Sequence, residues 1–126
     1  MNFDGHTAPY IQNAAVRANS IIKKAGELPA QASFDYPLES HEVQLIDLIS
    51  RFPQTVQAAV AEYRPLVMAN YAYDLASTFH SFYHVVPVIQ SETDQQRGAR
   101  LRLVAAARQT IVNTLRLLDI QTPDVM

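Results

Sequence analysis

No cysteine occurs among the 126 residues, which rules out a disulfide framework and any thiolate metal site and suits a reducing, cytoplasmic compartment. No run approaches the roughly 20 apolar residues needed to cross a bilayer. The N-terminus lacks the basic region and apolar core of a signal peptide, so no membrane partner is expected. Glycine is scarce, with three in all, and none of them builds a Gly-rich phosphate loop or a nucleophile elbow. Charged residues are also few, at 17 % against 48 % apolar; that balance belongs to a globular chain rather than a disordered one. The length fits one domain spanning 1–126, long enough to bury a core. No internal repeat or low-complexity segment interrupts it.

Net charge is −2, which by itself argues weakly against a nucleic-acid binder. Its distribution argues the other way. Residues 1–26 set Arg17, Lys23 and Lys24 against Asp4, and residues 27–94 set nine acidic side chains against Arg51 and Arg64. Residues 95–126 set Arg97, Arg100, Arg102, Arg108 and Arg116 against Asp119 and Asp124. A first and a last helix packed side by side would offer phosphates a positive face, for which Arg100, Arg108 and Arg116, spaced eight apart, are the candidate contacts. A solvated basic surface with no partner explains the charge equally well.

Helical punctuation is clear along the chain. Thr7 suits an N-cap with Pro9 in the first turn, apolar residues recur at helical spacing from Tyr10 to Ala25, and Gly26 stands where a helix stops. Residues 27–37 read as a loop. Ser40 is the expected cap of a second helix running to about Ser50. Pro53 and Pro65 each suit the first turn of a new helix, which predicts a short helix over 54–63 and a long one from 65 to about 86, ending before Pro87. Thr93 with Gln96 forms a capping-box pattern for a last helix reaching Leu118, whose core stripe is Val104, Ala107, Ile111, Leu115 and Leu118. The pattern predicts an all-α fold, a five-helix bundle.

The 65–86 segment is the most particular. It holds five of the eleven aromatic residues within thirteen positions. Tyr73, Ala76, Phe79 or His80, and Tyr83 share one stripe, while Tyr71, Asp74 and Ser81 point elsewhere. His80 and His84 share a helical face, but tetrahedral zinc needs at least one further ligand, and neither cysteine nor a patterned acidic residue supplies it. Ser77 and Ser81 lie near these histidines with no orienting acid or oxyanion hole. Neither a catalytic nor a metal site is expected within the 126 residues.

Asp74-Leu75-Ala76 followed by Phe79-His80-Ser81-Phe82-Tyr83 resembles the helix that marks the anticodon-binding (DALR) domain of arginyl-tRNA synthetases. The opening segment, Gly5-His6-Thr7-Ala8-Pro9-Tyr10-Ile11-Gln12-Asn13-Ala14-Ala15-Val16-Arg17, is similar to that family's Gly-x-Thr-(Gly/Ala)-Pro-Tyr-(hydrophobic)-Gln-x-Ala-x-x-Arg stretch. Leu117-Leu118-Asp119-Ile120-Gln121-Thr122-Pro123-Asp124-Val125-Met126 is similar to its closing Leu-Leu-Gly-(Ile/Leu)-x-x-Pro-(Glu/Asp)-x-Met. Two positions depart from the pattern: Asn13, where many members have Tyr, and Asp119, where Gly is usual.

The resemblance implies the helical anticodon-binding domain of a class I aminoacyl-tRNA synthetase, cut from the C-terminal part of a larger arginine–tRNA ligase. Such a parent attaches arginine to its tRNA with ATP, and magnesium, in a separate catalytic domain. Its His-x-Gly-His motif and Lys-rich loop do not occur here. The partners implied are arginine tRNA, read chiefly at the middle anticodon cytosine, and that catalytic domain. The contact set implied is Tyr10, Asn13, Arg17, Tyr83 and Met126. Tyrosine rings stack on unpaired bases, arginine meets a phosphate or a base plane, and an amide offers both donor and acceptor. A helical protein–protein module, its aromatic stripe filling a partner's groove, is the alternative from the residues alone. The related domain of the glycyl-tRNA synthetase beta chain is the alternative within synthetases, against which the Thr-Ala-Pro-Tyr-Ile-Gln stretch argues.

Overall fold

A computed structural model describes residues 7–62 and 64–121, and among them every regular element is helical. The order is α1 (Thr7–Ala25), α2 (Ser40–Ser50), α3 (Phe52–Glu62), α4 (Pro65–Val85) and α5 (Asp94–Gln121). Among these residues no helix is long and apolar enough to cross a membrane. The all-α expectation therefore holds, and the helix ends show why.

Gly26 ends α1 at φ 88°, a left-handed conformation glycine adopts without a side-chain penalty, and its N–H reaches back to the carbonyls of Ile22 and Lys23. Helix α2 begins where expected, but its N-cap is Glu39 rather than Ser40. Glu39 and Glu42 form a reciprocal capping box, the Glu39 carboxylate facing the Glu42 N–H and Glu42 Oε1 accepting the Glu39 N–H at 3.0 Å. Only Arg51 separates α2 from α3, and α3 begins at Phe52 rather than 54, with Pro53 inside its first turn. Helix α4 stops at Val85, the Val86 N–H closing on Phe82 at 2.8 Å ahead of Pro87. Thr93 Oγ1 accepts the Gln96 N–H at 3.1 Å at the head of α5. The reciprocal arm of that box is not made, since Gln96 Oε1 is buried without a partner. Helix α5 extends three residues beyond the expected Leu118.

Helix α4 is the hub, packing against α1, α2, α3 and α5. It contributes Met68, Leu75, Phe79 and Phe82 to the core, which also takes Ile11 from α1, Leu45 from α2 and Leu101, Val104 and Ile111 from α5. Each such side chain contributes about 1.5–3 kcal/mol by leaving water. Buried alanines at 14, 18, 72, 76 and 107 let the three long helices approach closely. Tyr71 is a core residue, its hydroxyl donating to the Leu48 carbonyl at 2.7 Å. Tyr73 and Tyr83, two positions of the predicted stripe, are 46 % and 40 % exposed. The stripe is divided: Ala76 and Phe79 sit in the core, while Tyr73 and Tyr83 border α1 along its seam.

The most extensive helix–helix interface joins α1 and α5, so the two basic helices do lie side by side. Helices α1 and α4 run parallel along their seam: Tyr10 meets Tyr73 and His80, and one to two turns further Arg17 meets Tyr83.

Candidate nucleic-acid interface

Two clusters of rings follow one another along the α1–α4 seam. In the first, the Tyr10 ring lies 5.2 Å from Tyr73 and 5.0 Å from His80, tilted to both. In the second, the Arg17 guanidinium sits 4.8 Å above the centroid of Tyr83. Buried Phe79 stacks on Tyr83 at 6.5 Å, and His84 meets it edge-on at 5.5 Å. Tyr83 is thus held by its neighbours while part of its ring stays open to solvent. A cation over a ring of this kind is worth about 0.5–1 kcal/mol at an exposed site.

A cleft of about 620 Å³ opens beside this second cluster. Asn13, Val16, Arg17, Ser20 and Lys24 line it from α1, Tyr83 from α4, and Val86 to Gln90 from the turn that follows α4. Val16 is 62 % exposed, an apolar side chain at the rim of a cleft that α1 also lines with Ile21 and with the polar Asn13, Arg17, Ser20 and Lys24. The site therefore combines a ring–guanidinium platform, an amide, positive charge and an apolar rim.

His80 stands where the two clusters meet. Burial is the main reason its imidazole is held below the ordinary value of 6.5, and the nearby Arg17 charge pushes the same way, with His84 adding a smaller push. The Tyr10 backbone pulls against them. A neutral His80 adds no charge of its own to the seam, where Arg17 stands as a permanent cation.

The residues expected from the sequence separate cleanly. Asn13, Arg17 and Tyr83 come together in the cleft. Tyr10 lies on the same seam but in the neighbouring cluster. Met126 falls outside the described residues. Arg108 is half-buried and Arg116 exposed, and neither lines the cleft.

Arg100 is a correction. It is 3 % exposed and donates from Nε and Nη2 to Glu42 at 3.1 and 3.2 Å, and from Nη1 to the Pro87 carbonyl at 2.9 Å. A guanidinium spent on a buried carboxylate and a carbonyl is not open to phosphate. The regular spacing of Arg100, Arg108 and Arg116 suggested a shared edge. The tertiary fold instead turns the first of them inward, onto a partner 58 positions away in sequence.

Reasoning from sequence missed Val16, Ser20, Lys24 and the turn after α4. Helical spacing from Asn13 and Arg17 carries the signal for Ser20 and Lys24, whereas the turn is placed by contacts that no local pattern encodes.

A second groove, of about 700 Å³, lies between the 27–39 connector, α2 and α5, lined chiefly by apolar side chains such as Phe34, Leu38, Ile46 and Leu103. Its cation, Arg102, is not placed over a ring among the described residues. No group of His, Asp and Glu side chains among those residues could hold a metal ion.

The family described as the DALR anticodon binding domain matches residues 11–126. The chain is 44 % identical over its whole length to an arginine–tRNA ligase of Pyrococcus furiosus and 36 % identical to one of Ligilactobacillus salivarius, covering 21 % and 22 % of those proteins. The solved Thermus thermophilus arginyl-tRNA synthetase superposes with a TM-score of 0.82 at 34 % identity, over 99 % of this chain and 22 % of that one. The chain therefore spans about a fifth of the length of the relatives it matches, and by its match over residues 11–126 it belongs to the DALR anticodon binding domain family.

Proposed function

We propose that this domain docks the anticodon loop of arginine tRNA on behalf of an arginine–tRNA ligase. The observation that carries the reading is the Arg17 guanidinium 4.8 Å above the half-open Tyr83 ring, in a cleft that also presents Asn13 and Lys24. Loop bases lie unpaired and splay outward, and proteins read them by stacking on rings or guanidinium planes and by hydrogen bonds to base edges. Here Tyr83 and Arg17 supply the stacking surface. Asn13, exposed at the cleft, offers amide N–H donors and a carbonyl acceptor to a base edge. Tyr10 extends the surface toward a flanking base, and Met126 completes the contact set.

Within the parent enzyme, arginine is activated with ATP and magnesium in a separate domain. Binding of the anticodon here orients the acceptor end of the tRNA toward that domain. Arg108 and Arg116 serve the phosphate backbone and thereby strengthen binding without choosing bases.

The test is a titration with two RNA stem-loops, one carrying an arginine anticodon and one with its middle cytosine replaced. The first is expected to bind more tightly, and Arg108→Ala is expected to leave their affinity ratio unchanged while lowering the slope of log affinity against log salt by about 1. Equal affinity for the two loops overturns the reading.

A further inference from the structure

The turn after α4 is one wall of the cleft, yet its own backbone does little to hold it. Proline at 87 has no N–H to give, and among the described residues the turn's main-chain bonding after Val86 is a long contact, Ser91 N–H to the Val88 carbonyl at 3.3 Å. Side chains supply the rest. Ser91 Oγ lies 2.8 Å from the Pro87 carbonyl and 2.7 Å from the Val88 carbonyl. Arg100 Nη1 donates to the same Pro87 carbonyl at 2.9 Å and lies 3.4 Å from Ser91 Oγ.

The other two arms of Arg100 are fixed on Glu42, which is fully buried and also accepts the Tyr36 hydroxyl. Arg100 thus clamps the back of a turn whose front, Val88 to Gln90, faces Tyr83 and Arg17 across the cleft. From this geometry we infer that Arg100 and Glu42 are positioning residues for the RNA cleft: the pair sets where the turn stands and so how wide the cleft opens. The inference rests on the anticodon-loop reading for what enters the cleft, and adds a reason why a buried ion pair lies behind it. A wall placed in advance spares the complex the cost of ordering it on binding.

Arg100→Lys tests this. Lysine keeps a cation beside Glu42, but a single ammonium cannot replace a planar fork that grips a carboxylate and a carbonyl together. The variant is expected to remain helical and to unfold cooperatively, to bind the arginine stem-loop about tenfold more weakly at a temperature where it is fully folded, and to keep the wild-type salt slope because no phosphate contact is lost. The Ile89 methyl signal in an NMR spectrum of the free protein is expected to move, which a loss of stability alone does not produce in the folded state.

Ser91→Ala leaves the Arg100–Glu42 pair intact, and is expected to weaken binding and move the Ile89 signal in the same sense; it decides the matter should Arg100→Lys fail to fold. Folded variants with wild-type affinity and an unmoved Ile89 signal overturn the inference. Should the wild-type chain bind no anticodon stem-loop, the functional reading falls, and the Ile89 signal still reports whether the pair positions the wall.

Discussion

Glu42→Ala is expected to destabilise the fold by about 3–5 kcal/mol, the cost of leaving a buried charge without its partner. Glu42 is fully buried and Arg100 is 3 % exposed, so water cannot replace the lost carboxylate. The damage also spreads beyond one pair. Glu42 accepts the Tyr36 hydroxyl, the Glu39 N–H that caps α2, and two arms of Arg100, so three segments of the chain lose an anchor at once. Tyr36, whose phenol is pushed up to about 12 by burial and by the Glu42 carboxylate, stays a neutral donor throughout and cannot compensate. Denaturant unfolding at neutral pH gives the size of the loss. A double replacement, Glu42→Leu with Arg100→Met, is expected to recover part of it, because removing both charges abolishes the unpaired one.

The same carboxylate sets an acid limb in stability. Burial alone would raise its pKa, but the hydrogen bonds from Arg100, from the Glu39 backbone and from Tyr36 outweigh burial and hold it below the ordinary value of 4.5. A carboxylate depressed in the folded state contributes stability that is present above its unfolded pKa and lost as pH falls through the folded one. Wild-type stability is therefore expected to drop below about pH 4.5, the ordinary carboxylate range. The drop should be shallower in Glu42→Gln. An equal drop in both proteins would assign the acid limb to other groups.

Tyr83→Ala is the second large effect, this time on binding. Losing an aromatic platform costs about 1–3 kcal/mol per stacked base, and here it also removes the surface on which Arg17 rests. The arginine stem-loop is expected to bind about tenfold or more weakly, with the fold intact because Tyr83 is 40 % exposed and its buried neighbour Phe79 remains. Tyr83→Phe separates ring from hydroxyl and is expected to keep most of the affinity. Arg17→Lys keeps the charge and loses the plane, so affinity falls while the salt slope stays. Unchanged affinity for Tyr83→Ala would mean that no base stacks on Tyr83.

Much of this was legible in the residues, for identifiable reasons. Helix ends were marked by groups with one conformational use: Gly26 by its left-handed φ, Pro53 and Pro65 by their missing N–H, and Pro87 by the constraint on the residue before it. Helix α4 was legible as a helix, but its faces were not. A stripe of rings spaced at 3.6 residues reads as a core, and the spacing cannot tell that α4 touches four other helices, so that Tyr71 is buried while Tyr73 borders the α1 seam. Arg17 and Tyr83 were picked out by their place in recognisable motifs, and the fold stacks one on the other. Arg100 misled because charge spacing along one helix says nothing of a carboxylate on another. The clefted turn, Val86 to Gln90, carries no chemistry of its own and acquires a role only from what the fold sets opposite it.

RNA bases are expected to enter the cleft between α1, Tyr83 and the turn after α4. An NMR titration of the chain with the arginine anticodon stem-loop tests it most directly. The largest shifts are expected at Val16, Arg17, Tyr83 and Ile89, with smaller ones at Tyr10 and Tyr73. Shifts centred instead on Phe34, Ile46 and Leu103 in the apolar groove, with the Tyr83 cleft unmoved, would contradict it.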